Sequence, residues 1–252
     1  MELIFDIGNS NIVISWYNEG EWSVPIRIET KRQEPELYYT NVLSDIILEY
    51  KINISSIKKV VISSVVSEVT NTISEAIKHY LGTEPLVLGG ELFSELDMHV
   101  PKPYEIGSDL VANAYAATRV YNDDFIIVDF GTALTFTVAS KEKGILGVTI
   151  TPGLKTSIQA LNLGTSLLPR VQLQLPETVI GKDTVHAIQS GVLYGYIGLV
   201  KEILTRIKQE VKKPYKVIAT GGLREILKEL NQHFDVVDEY LTLKGIRMLS
   251  HS

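Results

Sequence analysis

The feature that most constrains this chain is a short pattern that occurs twice. Asp6-Ile7-Gly8-Asn9-Ser10 and Asp129-Phe130-Gly131-Thr132-Ala133 each place an acidic residue at the end of an apolar run, then glycine, then small residues mostly bearing hydroxyl or amide groups. The preceding runs are Leu3-Ile4-Phe5 and Phe125-Ile126-Ile127-Val128; the following ones, Ile12 to Tyr17 and Leu134 to Ala139, have the β-branched and aromatic character of strands. The two aspartates stand 123 residues apart in a chain of 252. A fixed-interval repeat fixes an architecture. The expectation is therefore two similar α/β domains, 1–118 and 119–252, facing each other across a cleft that the two corners line.

The intervening sequence fits that plan. Trp22 to Ile28 reads as a third strand, and residues 35–49 as a helix in which Leu37, Val42, Ile46 and Leu48 recur near helical spacing. Lys59 to Ser64 reads as a buried strand and Glu68 to Leu81 as a helix. In the second half, Gly144 to Ile150 is a strand closed by Pro152-Gly153. Helices over 154–163 and 184–208, a strand over Lys216 to Ala219 and a helix over 223–230 follow. Helix Asp109 to Val120 crosses the domain boundary. Residues 82–106, rich in Gly, Pro and mixed polar residues, are expected to form a loop over the substrate site.

Composition narrows the chemistry. The chain has no cysteine, which excludes disulfides, thiolate zinc sites, iron–sulfur clusters and cysteine nucleophiles. Its five histidines (79, 99, 186, 233, 251) show no metal-ligand spacing. With 24 Lys+Arg against 30 Asp+Glu the net charge is −6, which argues against a nucleic-acid partner. No apolar stretch approaches the ~18 residues of a membrane span, and the first residues lack the basic start of a signal peptide. A cytoplasmic protein with no membrane partner is expected.

The repeated corners carry the chemistry. Glycine lets backbone N–H groups approach an anion, and Ser, Thr and Asn add side-chain donors, so the composition suits phosphate. Aspartate in the same corner would repel phosphate unless a cation lay between them. Ordinary hairpin turns also favour Asp, Asn and Gly, but they have no reason to repeat the strand-end aspartate. Thr220-Gly221-Gly222-Leu223 follows a strand and opens a helix, where a glycine pair serves either tight packing or a nucleotide lying against backbone. In Glu105-Ile106-Gly107-Ser108-Asp109, Ser108 or Asp109 fits a helix cap, and Asp109 fits a general base equally well. Gly191, Gly195 and Gly198 permit close helix approach, in a tight core or a dimer contact; the dimer is the reading adopted.

Together these residues resemble the type III pantothenate kinase family, of the acetate and sugar kinase/Hsp70/actin superfamily. The resemblance rests on the two corners, Ser63-Ser64-Val65-Val66, Pro152-Gly153-Leu154, Thr165-Ser166-Leu167-Leu168-Pro169, Gly181-Lys182-Asp183-Thr184 through Gly191, and Thr220-Gly221-Gly222-Leu223. It implies duplicated ribonuclease H-like (actin-like ATPase) domains. It also implies an ATP-dependent kinase that phosphorylates the primary hydroxyl of pantothenate, the first step of coenzyme A synthesis. By this resemblance Asp6, Ile7, Gly8, Asn9, Ser10, Asn11, Ile12, Val13 and Thr132 would handle the phosphates of Mg²⁺–ATP, with the adenine near Gly221 and Gly222. Asp109 would accept the proton, and Asp129 would hold an activating monovalent cation, K⁺ or NH₄⁺. Val100, Gly107, Ser108, Asp109, Leu110 and Thr184 would bind the acceptor, with Thr184 delivered across a homodimer interface. The family usually reads Gly-Ala-Asp-Arg where this chain has Gly107-Ser108-Asp109-Leu110. It tends to have Tyr at the place of Val100 and Asn-Pro at that of Lys102-Pro103. An arginine fork matches a carboxylate that Leu110 cannot bind, leaving Lys102 as the candidate replacement charge. Two other readings stay open: a kinase for another small alcohol, and a nucleotide-binding regulator without turnover.

Overall fold

The computed structural model describes residues 1–163, 169 and 171–252, with the side chains of Asn162 and Leu223 to Ile226 left aside. Most of the Thr165–Pro169 motif therefore lies outside the described residues. The chain divides into two compact units, Met1–Ala116 with Leu241–Ser252, and Ala117–Tyr240.

In the first unit β1 (Glu2–Ile7), β2 (Asn11–Asn18), β3 (Glu21–Trp22) and β4 (Ile26–Glu29) precede α1 (Glu36–Glu49), β5 (Lys59–Ser64) and α2 (Ser67–Leu81). Then come β6 (Leu86–Val87), α3 (Gly90–Glu95) and α4 (Ser108–Val120). The sheet runs β3-β2-β1-β5-β6, with β4 also on β2; β1 and β2 are antiparallel, and β1, β5 and β6 are parallel. Leu3, Phe5 and Ile7 alternate onto one face and join a core with Tyr39, Leu43 and Ile46 of α1 and Ile73 and Ala76 of α2. That places Asp6 on the opposite face.

The second unit repeats the scheme with β7 (Phe125–Phe130), β8 (Ala133–Ser140), β9 (Gly144–Pro152), α5 (Leu154–Leu163), α6 (Thr184–Val211), β10 (Lys216–Thr220) and β11 (Val236–Val237). Its sheet order, β11-β10-β7-β8-β9, is the first sheet's path read from the other edge, with the same parallel and antiparallel pairings. Ile126, Val128 and Phe130 face α6 as Leu3, Phe5 and Ile7 face α1 and α2. Asp129 therefore points away from that core, as Asp6 does.

Several expectations need correction. The third strand of the first half is two strands, β3 and β4, both paired to β2. In α1 the buried face is Tyr39, Leu43, Ile46 and Ile47, whereas Leu37 and Leu48 are exposed. Residues 82–106 are not one loop: they hold β6 and α3, and Phe93, Met98 and Val100 are buried. Gly222–His233 is a 3₁₀ run rather than an α-helix, broken at Leu227 (φ −112°, ψ 50°). The closing helix α7 (Leu241–Leu249) belongs to the first unit, not to the second half. There Gly245 lies against the Ala112 backbone, the Thr242 hydroxyl donates to Asn113 Oδ1 at 2.8 Å, and Arg247 pairs with Glu2 at 2.9 Å.

Candidate active site

In the first corner, register pairs Ile7 with Ile12, and the next rung closes a hairpin through the Gly8 N–H, which donates to the Asn11 carbonyl at 3.0 Å. The second corner is one residue shorter: Phe130 pairs with Leu134, and the Gly131 N–H donates to the Ala133 carbonyl at 3.1 Å. Both glycine N–H groups are thus engaged in the turn rather than offered to an anion. The exposed polar groups lie at the tips, Asn9 and Ser10 in the first corner and Thr132 in the second. Ile12 and Val13 are buried in β2, so their side chains serve the sheet. Asp6 and Asp129 are both half-buried at the penultimate position of their strands.

Each corner is braced from outside the turn. In the first, the Thr30 hydroxyl donates to the Gly8 carbonyl at 2.7 Å, and Arg32 donates to Asn9 Oδ1 at 2.7 Å. In the second, the Thr132 carbonyl accepts from Gly153 N–H at 3.0 Å and from the Thr156 hydroxyl at 2.8 Å. Thr30 and Arg32 were not singled out in the sequence; the only signal there was a hydroxyl and two cations directly after a strand. Arg32 sets a positive charge beside the turn that suits phosphate. Gly221 has φ +89°, and a Cβ there would come within 2.7 Å of Asp129 Oδ1 and of the Phe130 backbone. Only glycine lets β10 end so close to the second corner.

Asp109 stands in the first turn of α4, after Gly107, whose carbonyl accepts from the Val111 N–H at 3.3 Å. Ser108 is buried, bonded to the Ser63 hydroxyl at 2.8 Å and to the Ser64 carbonyl at 3.2 Å, which ties the helix start to the end of β5. Ser63 is the parallel partner of Asp6. The Asp109 carboxylate turns back, with Oδ1 accepting from the Leu110 N–H at 2.9 Å, into space that a Cβ at Gly107 would occupy (2.5 Å). Asp109 keeps some exposed surface, yet protein crowds it closely enough that burial raises its carboxyl above the ordinary range; N–H groups of Leu110 and of Asp109 itself pull the other way.

Of the other acceptor candidates, Val100 and Leu110 are buried apolar side chains, each 7% exposed. Lys102 is exposed, and its ammonium pairs with Glu105 at 2.9 Å, so it is already engaged at the surface. Thr184 opens α6 on the exposed side, where Asp183 caps the helix by accepting from the His186 N–H at 2.8 Å. Gly191, Gly195 and Gly198 are exposed, and among the described residues a Cβ at any of them would meet nothing within 4 Å, so they are not the floor of a tight contact there.

The residues suit the ligands that such corners take. The first offers exposed amide and hydroxyl groups with Arg32 beside them, a donor set for phosphate. Among the described residues no group of three His, Asp or Glu side chains could hold a metal. The second corner instead gives one carboxylate, Asp129, with a hydroxyl opposite it. That hydroxyl, Thr135 Oγ1, is buried and has no hydrogen-bond partner among the described residues, and it is an oxygen of the kind a cation can take as a ligand.

Two units sharing one sheet order, each ending its first strand in an Asp-x-Gly hairpin, define the actin-like ATPase fold. Solved structures agree at the level of fold. A Campylobacter jejuni protein assigned to the Baf family of transcriptional activators is 20% identical, with 99% of this chain and 97% of that one covered at a TM-score of 0.57. The ethanolamine utilization protein EutJ from Carboxydothermus hydrogenoformans is 16% identical over 98% and 89%, at 0.55. The activator of 2-hydroxyisocaproyl-CoA dehydratase from Clostridium difficile, solved with ADPNP bound, is 10% identical over 99% and 94%, at 0.53. Residues 2–206 match the family model of type III pantothenate kinase. The chain belongs to that family, and so to the kinases: ATP-dependent phosphotransferases that act on a small molecule. Among the described residues no helix is long and apolar enough to cross a membrane.

Proposed function

We propose that this chain transfers the γ-phosphoryl group of ATP to the primary hydroxyl of pantothenate, giving 4′-phosphopantothenate, the first step of coenzyme A synthesis. The observation that carries the reading is Asp109: a carboxylate fixed at a helix start, bonded through Oδ1 to backbone, with its basicity raised by burial. A raised carboxyl accepts a proton more readily than an ordinary aspartate. Asp109 takes the acceptor's hydroxyl proton as that oxygen attacks phosphorus in line. In the first unit Asn9, Ser10, Asn11 and Arg32 hold phosphate oxygens; in the second, Thr132 does so, with the adenine near Gly221 and Gly222. When bound, Mg²⁺ and a monovalent cation neutralise phosphate charge, the larger part of what phosphoryl transfer asks; Asp129 would hold the monovalent ion. Thr184 contacts the acyl part of the acceptor. The open glycine face of α6 supports a homodimer in which that threonine comes from a second copy.

One observation favours a second acceptor. Val100 and Leu110 are apolar and buried, Lys102 is engaged by Glu105, and no cationic side chain is among the influences on Asp109. A carboxylate-bearing acceptor finds no partner in these residues, whereas a neutral alcohol needs none. ADP release with Mg²⁺ and K⁺ should be compared for pantothenate and its neutral amide. Pantothenate-dependent turnover supports the first reading, and turnover with the amide alone supports the second. Turnover with neither, nor with a panel of small alcohols, would refute both and leave a regulator.

A further inference from the structure

The duplication supplies an internal control at the two aspartates. Across the strand from Asp6 stands Val13, and across from Asp129 stands Thr135. Residues paired in register on antiparallel strands share a face, with Cβ atoms about 5 Å apart. The two corners thus differ at the position paired with the aspartate: a methyl in the first and a hydroxyl in the second. The hydroxyl is more than nine-tenths buried, at 9% exposure, and Oγ1 has no hydrogen-bond partner among the described residues. Leaving a buried hydroxyl unbonded costs free energy, and valine of the same shape, as the first corner shows, would fill the place without that cost. Thr220, also buried, is the parallel partner of Asp129 on its other side.

We infer that the Thr135 hydroxyl is a ligand of a monovalent cation held at Asp129, and that this oxygen is what assigns the cation to the second corner rather than the first. A buried hydroxyl oxygen has to touch its ion directly, and Mg²⁺ gives up its waters reluctantly. One carboxylate with one hydroxyl suits an ion of single charge. The inference rests on the kinase reading only in taking the second corner as a cation corner.

The test is thermal unfolding of the full chain in KCl against choline chloride at equal ionic strength, with ATP turnover measured in the same buffers. The wild type should gain melting temperature with K⁺. Thr135→Val should raise the half-saturating K⁺ concentration by about tenfold or more, Thr135→Ser should keep it within about twofold, and nucleotide affinity in choline should be unchanged. Should the valine variant fail to fold, Thr135→Ala makes the same comparison. A variant without the hydroxyl that saturates at the wild-type K⁺ concentration would overturn the assignment, as would a wild type that does not respond to K⁺. In that last case, continued turnover in choline would show that the kinase reading stands without the cation.

Discussion

Asp109 carries opposite consequences for activity and for stability. Burial raises its carboxyl, so the folded state holds the proton more tightly than the unfolded chain does. By linkage, stability then falls as pH rises from the ordinary aspartate value, about 4, toward the raised folded value, and above that ordinary value the group is a net cost. Asp109→Asn should therefore melt higher than wild type at pH 7, with the gap closing as pH drops below about 4 in pH-resolved melting curves. The same variant should lose roughly 10²- to 10⁴-fold in kcat with nucleotide affinity unchanged. Wild-type kcat should fall on the acid side at a pH above that of an ordinary aspartate. Gly107→Ala separates position from chemistry: its Cβ would sit 2.5 Å from Asp109 Oδ1, a movable atom. The fold should survive within a degree or two of melting temperature while kcat drops about tenfold or more, as expected of a displaced base. The corner aspartates and their glycines were legible in the sequence because the same short pattern recurs at one interval. Thr30, Arg32 and the engaged state of the Gly8 and Gly131 N–H groups were not, since hydrogen bonds between distant segments leave no local pattern.

At the scale of elements, α4, which carries Asp109 in its first turn, meets α7 at Ala112 and Asn113. Gly245 makes that packing close, for a Cβ there would lie 1.9 Å from the Ala112 carbonyl oxygen, a backbone atom that cannot swing aside. Gly245→Ala should force the two helices apart at a cost of about 1–3 kcal/mol, read as a lower denaturation midpoint at unchanged slope, with kcat reduced because Asp109 moves with its helix. Strands were legible where apolar runs end in turn residues, as at β1, β2, β7 and β8. The face of α1 was misread because Leu37 and Leu48 are apolar yet exposed, while Tyr39 and Ile47 do the burying. The 3₁₀ run after Gly221 escaped detection because its sequence, Leu223 onward, has ordinary helix formers and the break at Leu227 is a backbone event.

The whole molecule repeats one sheet order twice, and the repeat was visible before any coordinates because one short pattern recurs at an interval of 123 residues. Leu3, Phe5 and Ile7 correspond to Ile126, Val128 and Phe130 in facing the helical layer, and Asp6 and Asp129 correspond in turning from it. The return of α7 to the first unit was not visible. An amphipathic helix at the end of the chain carries an apolar face, but nothing in its own sequence says which sheet that face covers. The central claim concerns the reaction itself, and ³¹P NMR of the full-length protein with Mg²⁺–ATP, K⁺ and pantothenate tests it most directly. The account predicts a new phosphomonoester resonance growing with ADP in the wild type and absent, over the same hours, in Asp109→Asn. A resonance that grows equally in the variant would contradict Asp109 as the base, and ADP that forms with no phosphorylated acceptor would contradict the transfer.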